Sequence, residues 1–435
     1  DGVEQWGIAS DGLAPKWFTK NAEQTFEQEV QEMLAVIQSA ARFAGDVSGA
    51  SSVFELWHQV YAAQCYWAHQ HDYPALLWNF GISLIERAVV DAFCRVKDVT
   101  FGEALRSNRL GISLGQVDGH LAELEPGDLL SKRPLRKLIA RHTVGLADPL
   151  TDGEIDAADR VDDGLPHSLE TSIHAYGLTH FKLKLSGDID ADIERLTRIA
   201  HVIDNAVIGE CGLTLDANEQ YTEIAAFRQL WEALNGHPGL VRFFEQLIFV
   251  EQPLVRNVAL SDATRQAMLS WTDRPPIIID ESDAGLTSLP RALACGYAGT
   301  SHKNCKGIFK GIINACRLAK RNQEIPDQPV MLSSEDLSNV GPVALLQDLA
   351  VAASLGIAHL ERNGHHYFRG LSMFDEDIQQ QMVAHHGDLY HRHADGFAAV
   401  DVQFGAVEIG SLIDAPFGLG FDLDPARFTP LADWR

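Results

Sequence analysis

Several short apolar runs in the second half of the chain end on charged residues whose types and order could do chemistry. They read Phe181-Lys182-Leu183-Lys184, Leu215-Asp216-Ala217-Asn218, Val250-Glu251-Gln252-Pro253, Ile279-Asp280-Glu281-Ser282, Ser301-His302-Lys303 and Leu360-Glu361. Side chains alternate faces along a strand, so Lys182 and Lys184 share one face. If the runs are neighbouring strands, the carboxylates Asp216, Glu251 and Asp280 stand in a row with lysines on both sides. Oxygen ligands alone suit a hard cation such as Mg2+. Such an ion can chelate a substrate carboxylate and stabilise the dianion left when a proton departs from the α-carbon. That proton is weakly acidic, so stabilising the enediolate is the main task. A lysine beside a second lysine and a metal has its pKa lowered, because like charges disfavour the ammonium form. It can then act as a general base, and lysines on opposite sides allow removal of a proton from one face and its return on the other.

These residues need a scaffold that gathers strand ends in one place. Eight strand-like runs occur, over 142–147, 179–185, 213–217, 248–251, 276–280, 299–303, 330–334 and 357–361, separated by amphipathic helical stretches. A βα unit repeating about every 30 residues, eight times, is the signature of a (β/α)8 barrel, whose catalytic groups sit at the C-terminal strand ends. The even repeat, with no GxGxxG after the first strand, speaks against a doubly wound sheet. Residues 1–141 read as mainly helical, with apolar positions at helical spacing over 24–43 and 82–104, and are expected to form an N-terminal capping domain. The barrel is expected over 142–397. A C-terminal segment, 398–435, carries two short strand patterns, 400–404 and 406–409, and a Gly-rich stretch over 416–422 that is expected to return to the cap.

The chain has 435 residues, 46% hydrophobic and 22% charged, close to the globular average and far from a disordered composition. Its net charge of −25 repels nucleic acid and anionic membrane, so neither is expected as a partner. No run approaches the length of a membrane-spanning helix, and Asp1-Gly2-Val3-Glu4-Gln5 shows no secretory leader pattern. Six cysteines without CxxC spacing fit a reducing, cytoplasmic setting, with Cys211 and Cys305 as small core residues.

The ordered set resembles the enolase superfamily, and within it the mandelate racemase/muconate lactonizing enzyme group, over about residues 75–425. Lys182-Leu183-Lys184 looks like its KxK strand, and the strand ends at Asp216, Glu251 and Asp280 look like its three metal strands. Lys303 sits where the opposing lysine of the muconate-lactonizing branch would. Residues 79–106 are similar to the helix joining cap to barrel, and 418–422 to the closing segment. The resemblance implies an α/β fold, a (β/α)8-type barrel with an N-terminal α+β capping domain completed by the C-terminal tail. It implies Mg2+ held by Asp216, Glu251 and Asp280, with Lys184 and Lys303 as the two acid/base residues. Lys182 would tune Lys184 and touch the substrate carboxylate, and Glu361 matches the strand-eight acid of some members. It also implies a small carboxylate substrate and a homo-oligomer. Three departures stand out. Strand six reads Ser301-His302-Lys303-Asn304-Cys305-Lys306, so Lys306 is the opposing base if the register shifts. The N-terminal layer shows no β-hairpin opening. Strand seven has no histidine, so the His–Asp dyad of mandelate racemase-like members is absent.

Around the set, Glu281 replaces Asp280 as third ligand if the strand end twists, Asn218 and Gln252 would hydrogen-bond the ligands, and His302 would face outward or stand behind them. His365-His366 reads as loop packing or substrate contact. Trp17, Phe18, Trp57 and Tyr73, within 10–30 and 45–75, are candidate substrate contacts. The chemistry expected is racemisation, epimerisation or cycloisomerisation. Alternatives are a dehydratase with Glu361 or Lys303 as acid, a class I aldolase with a Schiff-base lysine, and a non-catalytic carboxylate-binding barrel.

Overall fold

The computed structural model describes residues 4–207 and 209–434. Eight strands form the expected barrel: β1 (Lys137–Val144), β2 (His180–Lys184), β3 (Gly212–Asp216), β4 (Leu247–Glu251), β5 (Ile277–Ile279), β6 (Gly299–His302), β7 (Met331–Ser334) and β8 (His359–Glu361). They pair in parallel in chain order from β1 to β7, and β8 returns to pair with β1. The last gap closes on a parallel bridge between Glu335 and Glu361, where the Asp336 N–H donates to the Glu361 carbonyl at 3.3 Å. Two features depart from the expected elements. β1 begins at Lys137 rather than 142, because Lys137, Leu138 and Ile139 pair antiparallel with β11 (Ala406–Glu408). The other C-terminal strands, β9 (Tyr390–Arg392) and β10 (Ala398–Val400), form a separate hairpin.

The helices between strands form because their apolar residues recur at helical spacing, and three of them carry a side-chain cap at the start. Helix Ile189–Ala206 is a representative case. Its Leu196, Ile199, Ala200 and Ile203 are buried, and the Asp188 side chain accepts the Ala191 N–H at its start. Helix Ala344–Leu355 differs, being buried on every side. The barrel lies on one side of it and the chain's C-terminal segment on the other. That close approach requires glycine: Gly418 has φ +82°, and a Cβ there would meet the Leu346 carbonyl oxygen at 2.7 Å.

Helices Phe26–Asp46, Val53–Gln70 and Ala75–Lys97 make the N-terminal layer. No strand precedes β1 among the described residues, so the cap is helical and not α+β. Its continuous 3.6-residue periodicity and its capped starts, as at Thr25, leave no alternating segment to form a sheet. The first and third of these helices cross at Gly81, where a Cβ would lie 2.1 Å from the Val36 carbonyl oxygen. The cap is joined to the barrel where the buried Glu86 carboxylate accepts the Ile308 N–H at the start of helix Ile308–Glu324. The C-terminal stretch 416–422 does reach the N-terminal layer. Phe101 donates its N–H to Pro416 at 2.7 Å, the Phe101 and Phe417 rings lie 4.9 Å apart, and Arg95 donates to the Leu419 carbonyl at 3.1 Å. No helix among the described residues is long and apolar enough to cross a membrane.

Candidate active site

Strand register places the charged residues. Lys184 pairs with Asp216, and Asp216 with Glu251, so the ends of β2, β3 and β4 form one row. Glu251 pairs with Ile278 on β5, which puts Asp280 two residues further along and on the same face. Lys303 follows β6, Glu335 follows β7 and Glu361 ends β8. All point into the barrel mouth and all but Lys184 are buried.

The centre of this set is Lys182. Its Nζ lies 2.9 Å from Asp216, 3.1 Å from Glu251, 3.0 Å from Glu335 and 2.5 Å from Glu361. Burial alone would pull the Lys182 ammonium down, but Asp216, Glu251 and Glu361 outweigh it and hold its pKa well above the ordinary lysine value. Lys184 donates to Asp216 at 2.6 Å and is 22% exposed. Burial lowers its pKa and Asp216 raises it by more, so the net shift is upward. Lys182 itself pushes Lys184 down, as expected of a second lysine, but the carboxylate in direct contact outweighs it. Lys303, 2% exposed, donates to Asp280 at 2.7 Å, also pairs with Glu335, and lies 4.1 Å above the Trp17 ring. Lys184 and Lys303 thus flank the carboxylates from opposite sides.

Lys306 reaches the same Asp280 at 2.9 Å but also donates to the Asp280 and Ser301 carbonyls, so it braces the strand end from behind. Burial works against the Asp280 carboxylate, yet Lys303, Lys306 and Lys182 together hold its pKa below the usual carboxylate range. Glu361 is likewise held ionised, well below its ordinary value, as Lys182 and Lys184 outweigh its burial. Thr143 and Asn363 donate to it at 2.5 and 2.8 Å.

Two carboxylates are less well served. Glu281 has no hydrogen-bond partner on either oxygen, and Glu251 meets only the Lys182 ammonium that it shares with three other carboxylates, although both side chains are buried. Burial raises the pKa of Glu251, and burial with the neighbouring Asp280 pushes Glu281 up to about 7. Carboxylates stripped of water and left short of partners are ones a cation would relieve. One oxygen each from Glu251, Asp280 and Glu335 lies within 4.8 Å of the others. An all-oxygen donor set of this kind fits Mg2+. This convergent trio keeps Glu251 and Asp280 from the sequence-based set and brings in Glu335, while Asp216 sits at its edge against the two lysines of β2.

Of the supporting residues, Gln252 accepts the Asp280 and Ser282 N–H groups at 2.8 and 3.2 Å, fixing the strand end that carries Asp280. Asn218 donates its N–H to Asp216 at 2.9 Å. His302 points away from the mouth, its Nε2 3.0 Å from Asn304 Oδ1, and burial pushes its pKa down to about 3.

The N-terminal segment covers the mouth. Besides the Trp17 ring over Lys303, the Trp17 and Phe18 carbonyls accept from Arg256 at 3.0 and 2.8 Å, and Lys20 pairs with Glu219 at 2.5 Å. Phe18 itself is fully buried against Phe80 and supports this segment. Two expected contacts are not brought here. Trp57 is buried against Phe54 and Phe309, and Tyr73 stacks with Trp67 and His71 on the cap. Residues 53–70 are helix rather than a mouth loop, because their apolar face is used in packing. Glu335 is the residue the strand-end reading missed. Its signal was present as Ser334-Glu335 at the end of strand seven, a carboxylate where only a histidine was sought.

The fold and site define a (β/α)8 barrel with a helical cap and a buried lysine–carboxylate mouth. No protein-family profile and no curated protein sequence matches the chain. Solved structures do. A mandelate racemase/muconate lactonizing family protein from an Azoarcus species aligns with a TM-score of 0.55 at 16% identity, covering 97% of this chain and 87% of that one. Dipeptide epimerase from Enterococcus faecalis aligns at 0.54 and 15%, covering 95% and 90%. N-succinyl Arg/Lys racemase from Bacillus cereus aligns at 0.53 and 14%, covering 92% and 84%. At these identities the likeness establishes shared architecture.

Proposed function

We propose that this chain is an enolase-superfamily enzyme that uses Mg2+ to remove the α-proton of a small carboxylate substrate through an enediolate, giving racemisation or epimerisation when a proton is returned, or cycloisomerisation when the enediolate instead makes or breaks a ring bond. The observation that carries this reading is the position of Lys184 and Lys303 on opposite flanks of one buried carboxylate set. Having a lysine on each flank favours the branch that works with two lysines. Glu251, Asp280 and Glu335, with Asp216 at their edge, are the residues that would hold the ion. When bound, Mg2+ supplies the charge that chelates the substrate carboxylate and lowers the cost of the enediolate dianion.

The remaining work falls to the chain's own side chains. Lys182 is a fixed positive charge beneath the reacting carboxylate, aimed where negative charge develops. One flanking lysine, neutral at Nζ, takes the α-proton. The other, an ammonium, gives its proton to the opposite face of the α-carbon. The two lysines then exchange protonation states, and solvent resets them before the next turnover. Trp17 and the segment around it keep water from the Lys303 flank, which protects the basic intermediate.

Incubation with Mg2+ in D2O and a pool of carboxylates tests the reading. The pool includes N-succinyl amino acids and dipeptides, which two of the compared structures are named for. The expected result is deuterium at the α-carbon of at least one compound, lost with EDTA. Binding of a carboxylate without any exchange would overturn it in favour of a binding barrel, and trapping by borohydride without a metal would favour Schiff-base chemistry.

A further inference from the structure

On the far face of β1 from the mouth lies a second cluster that the proposed reaction does not use. Arg141 and Thr143 face inward, donating to Ser333 and Glu361. His142 between them therefore faces outward. His365 and His366 follow β8, in the short helix Gly364–Tyr367. Because β8 pairs directly with β1, the three imidazoles meet beside the strand layer. Ring centroids stand 5.0 Å apart for His142 and His365, 4.4 Å for His142 and His366, and 4.8 Å for His365 and His366. One ring nitrogen of each lies within 4.8 Å of the other two. His142 and His365 are 4% and 8% exposed, and His366 is half-buried.

We infer that His142, His365 and His366 form a second metal site, one that takes Zn2+ or a similar late transition ion and is separate from the acidic mouth. Three imidazole nitrogens and no carboxylate in the trio suit such an ion and not Mg2+. Burial lowers the pKa of all three histidines, leaving neutral rings with a lone pair to offer. Arg362, a cation that acts on His365 and His366, is tied to Asp336. A cavity of about 120 Å³ adjoins two of the rings, lined in part by His142, His366, Asp148 and Ser168. His142 Nδ1 and His365 Nε2 stand 2.9 Å apart, a hydrogen bond between rings. Two nitrogens on a tetrahedral Zn2+ stand about 3.3 Å apart, so this pair would have to part by only a few tenths of an ångström, with His366 closing in from within 4.8 Å. The ion would pin the segment after β8 to β1, the same segment from which Asn363 reaches Glu361.

The test uses the full chain, stripped with chelator and held in excess Mg2+ so that the mouth is saturated. Zn2+ is titrated calorimetrically, and Co2+ by its visible d–d absorption. The expected result is one equivalent of tightly bound Zn2+ and tetrahedral Co2+ bands. His366→Ala and His365→Ala should each weaken binding by about 100-fold or more, and Glu251→Gln should leave it unchanged. His366 is half-buried, so His366→Ala should keep its fold, checked by circular dichroism, should His365→Ala not fold. Absence of Zn2+ binding to the wild type, or binding that survives His366→Ala and is lost in Glu251→Gln, would overturn the inference. Either result leaves the deuterium-exchange test of the mouth independent.

Discussion

On one flank of the mouth Lys184 meets a single carboxylate, Asp216, and stays 22% exposed; on the other Lys303 meets Asp280 and Glu335 under the Trp17 ring and is 2% exposed. The residue type is the same and the surroundings are not. A lysine that reaches solvent trades its proton with water quickly. One sealed beneath an indole, with two carboxylate partners, keeps the proton it has taken. The difference teaches that a two-lysine mouth need not be symmetric. On the proposed reading, one flank is suited to exchange with bulk water and the other to returning the same proton.

The largest expected effect removes what both flanks share. Glu251→Gln should abolish α-deuterium incorporation from either direction, by about 10³-fold or more, because the charge that offsets the enediolate is lost to both lysines. Mass spectrometry of the α-carbon after incubation in D2O measures it; residual exchange near wild-type rates would remove Glu251 from the site. Next come the flanks separately. Lys184→Met and Lys303→Met should each cost about 10²–10⁴-fold in interconversion, with one enantiomer still exchanging its α-proton in each variant and the choice of enantiomer reversed between them. Loss of exchange for both enantiomers in both variants would break the comparison.

Trp17→Ala sharpens it further. Removing the ring over Lys303 should slow turnover by about tenfold. It should also lower the share of deprotonated substrate that recovers its own hydrogen on that face, read by the isotope content of recovered substrate at early times. An unchanged share would mean that the indole does not seal the flank. The smallest effect concerns stability. Glu281, beside Asp280 on the Lys303 side, has its folded pKa raised to about 7 by burial. An acid raised in the folded state contributes stability that is fully present below its unfolded value near 4.3 and lost as pH rises through about 7. Metal-free protein should therefore lose a few degrees of melting temperature between about pH 5 and 8, and Glu281→Gln should flatten that slope. A slope identical in both proteins would locate the titrating group elsewhere.

Much of the scaffold was legible because its signals are local. The alternation of apolar runs with amphipathic stretches follows from hydrogen bonding and burial within each βα unit, so the barrel could be read one unit at a time. The residues at Lys182, Lys184, Asp216, Glu251, Asp280 and Lys303 were legible for a related reason: a charge at the end of an otherwise apolar strand has few places to go but the mouth. The start of β1 was not legible, because Lys137, Leu138 and Ile139 owe their strand form to a partner, β11, from the far end of the chain. Nor was the wholly helical cap separable from an α+β one until its packing was seen. Trp57 illustrates the limit on the other side, since an aromatic residue looks the same whether it lines a mouth or fills a layer.

What the sequence determined, then, is the set of strands, their order and the charged groups at their ends, all fixed by periodicity within short segments. What only the tertiary structure decided is which groups converge. Barrel closure brings Glu335 of β7's end and Glu361 of β8 onto Lys182, and makes that lysine the centre rather than an accessory. It also folds Trp17 over Lys303 and gathers His142, His365 and His366 behind β1. Such convergence depends on the stagger between strands and on how the sheet closes. Those are properties of the whole circle of strands, and no single stretch of sequence contains them.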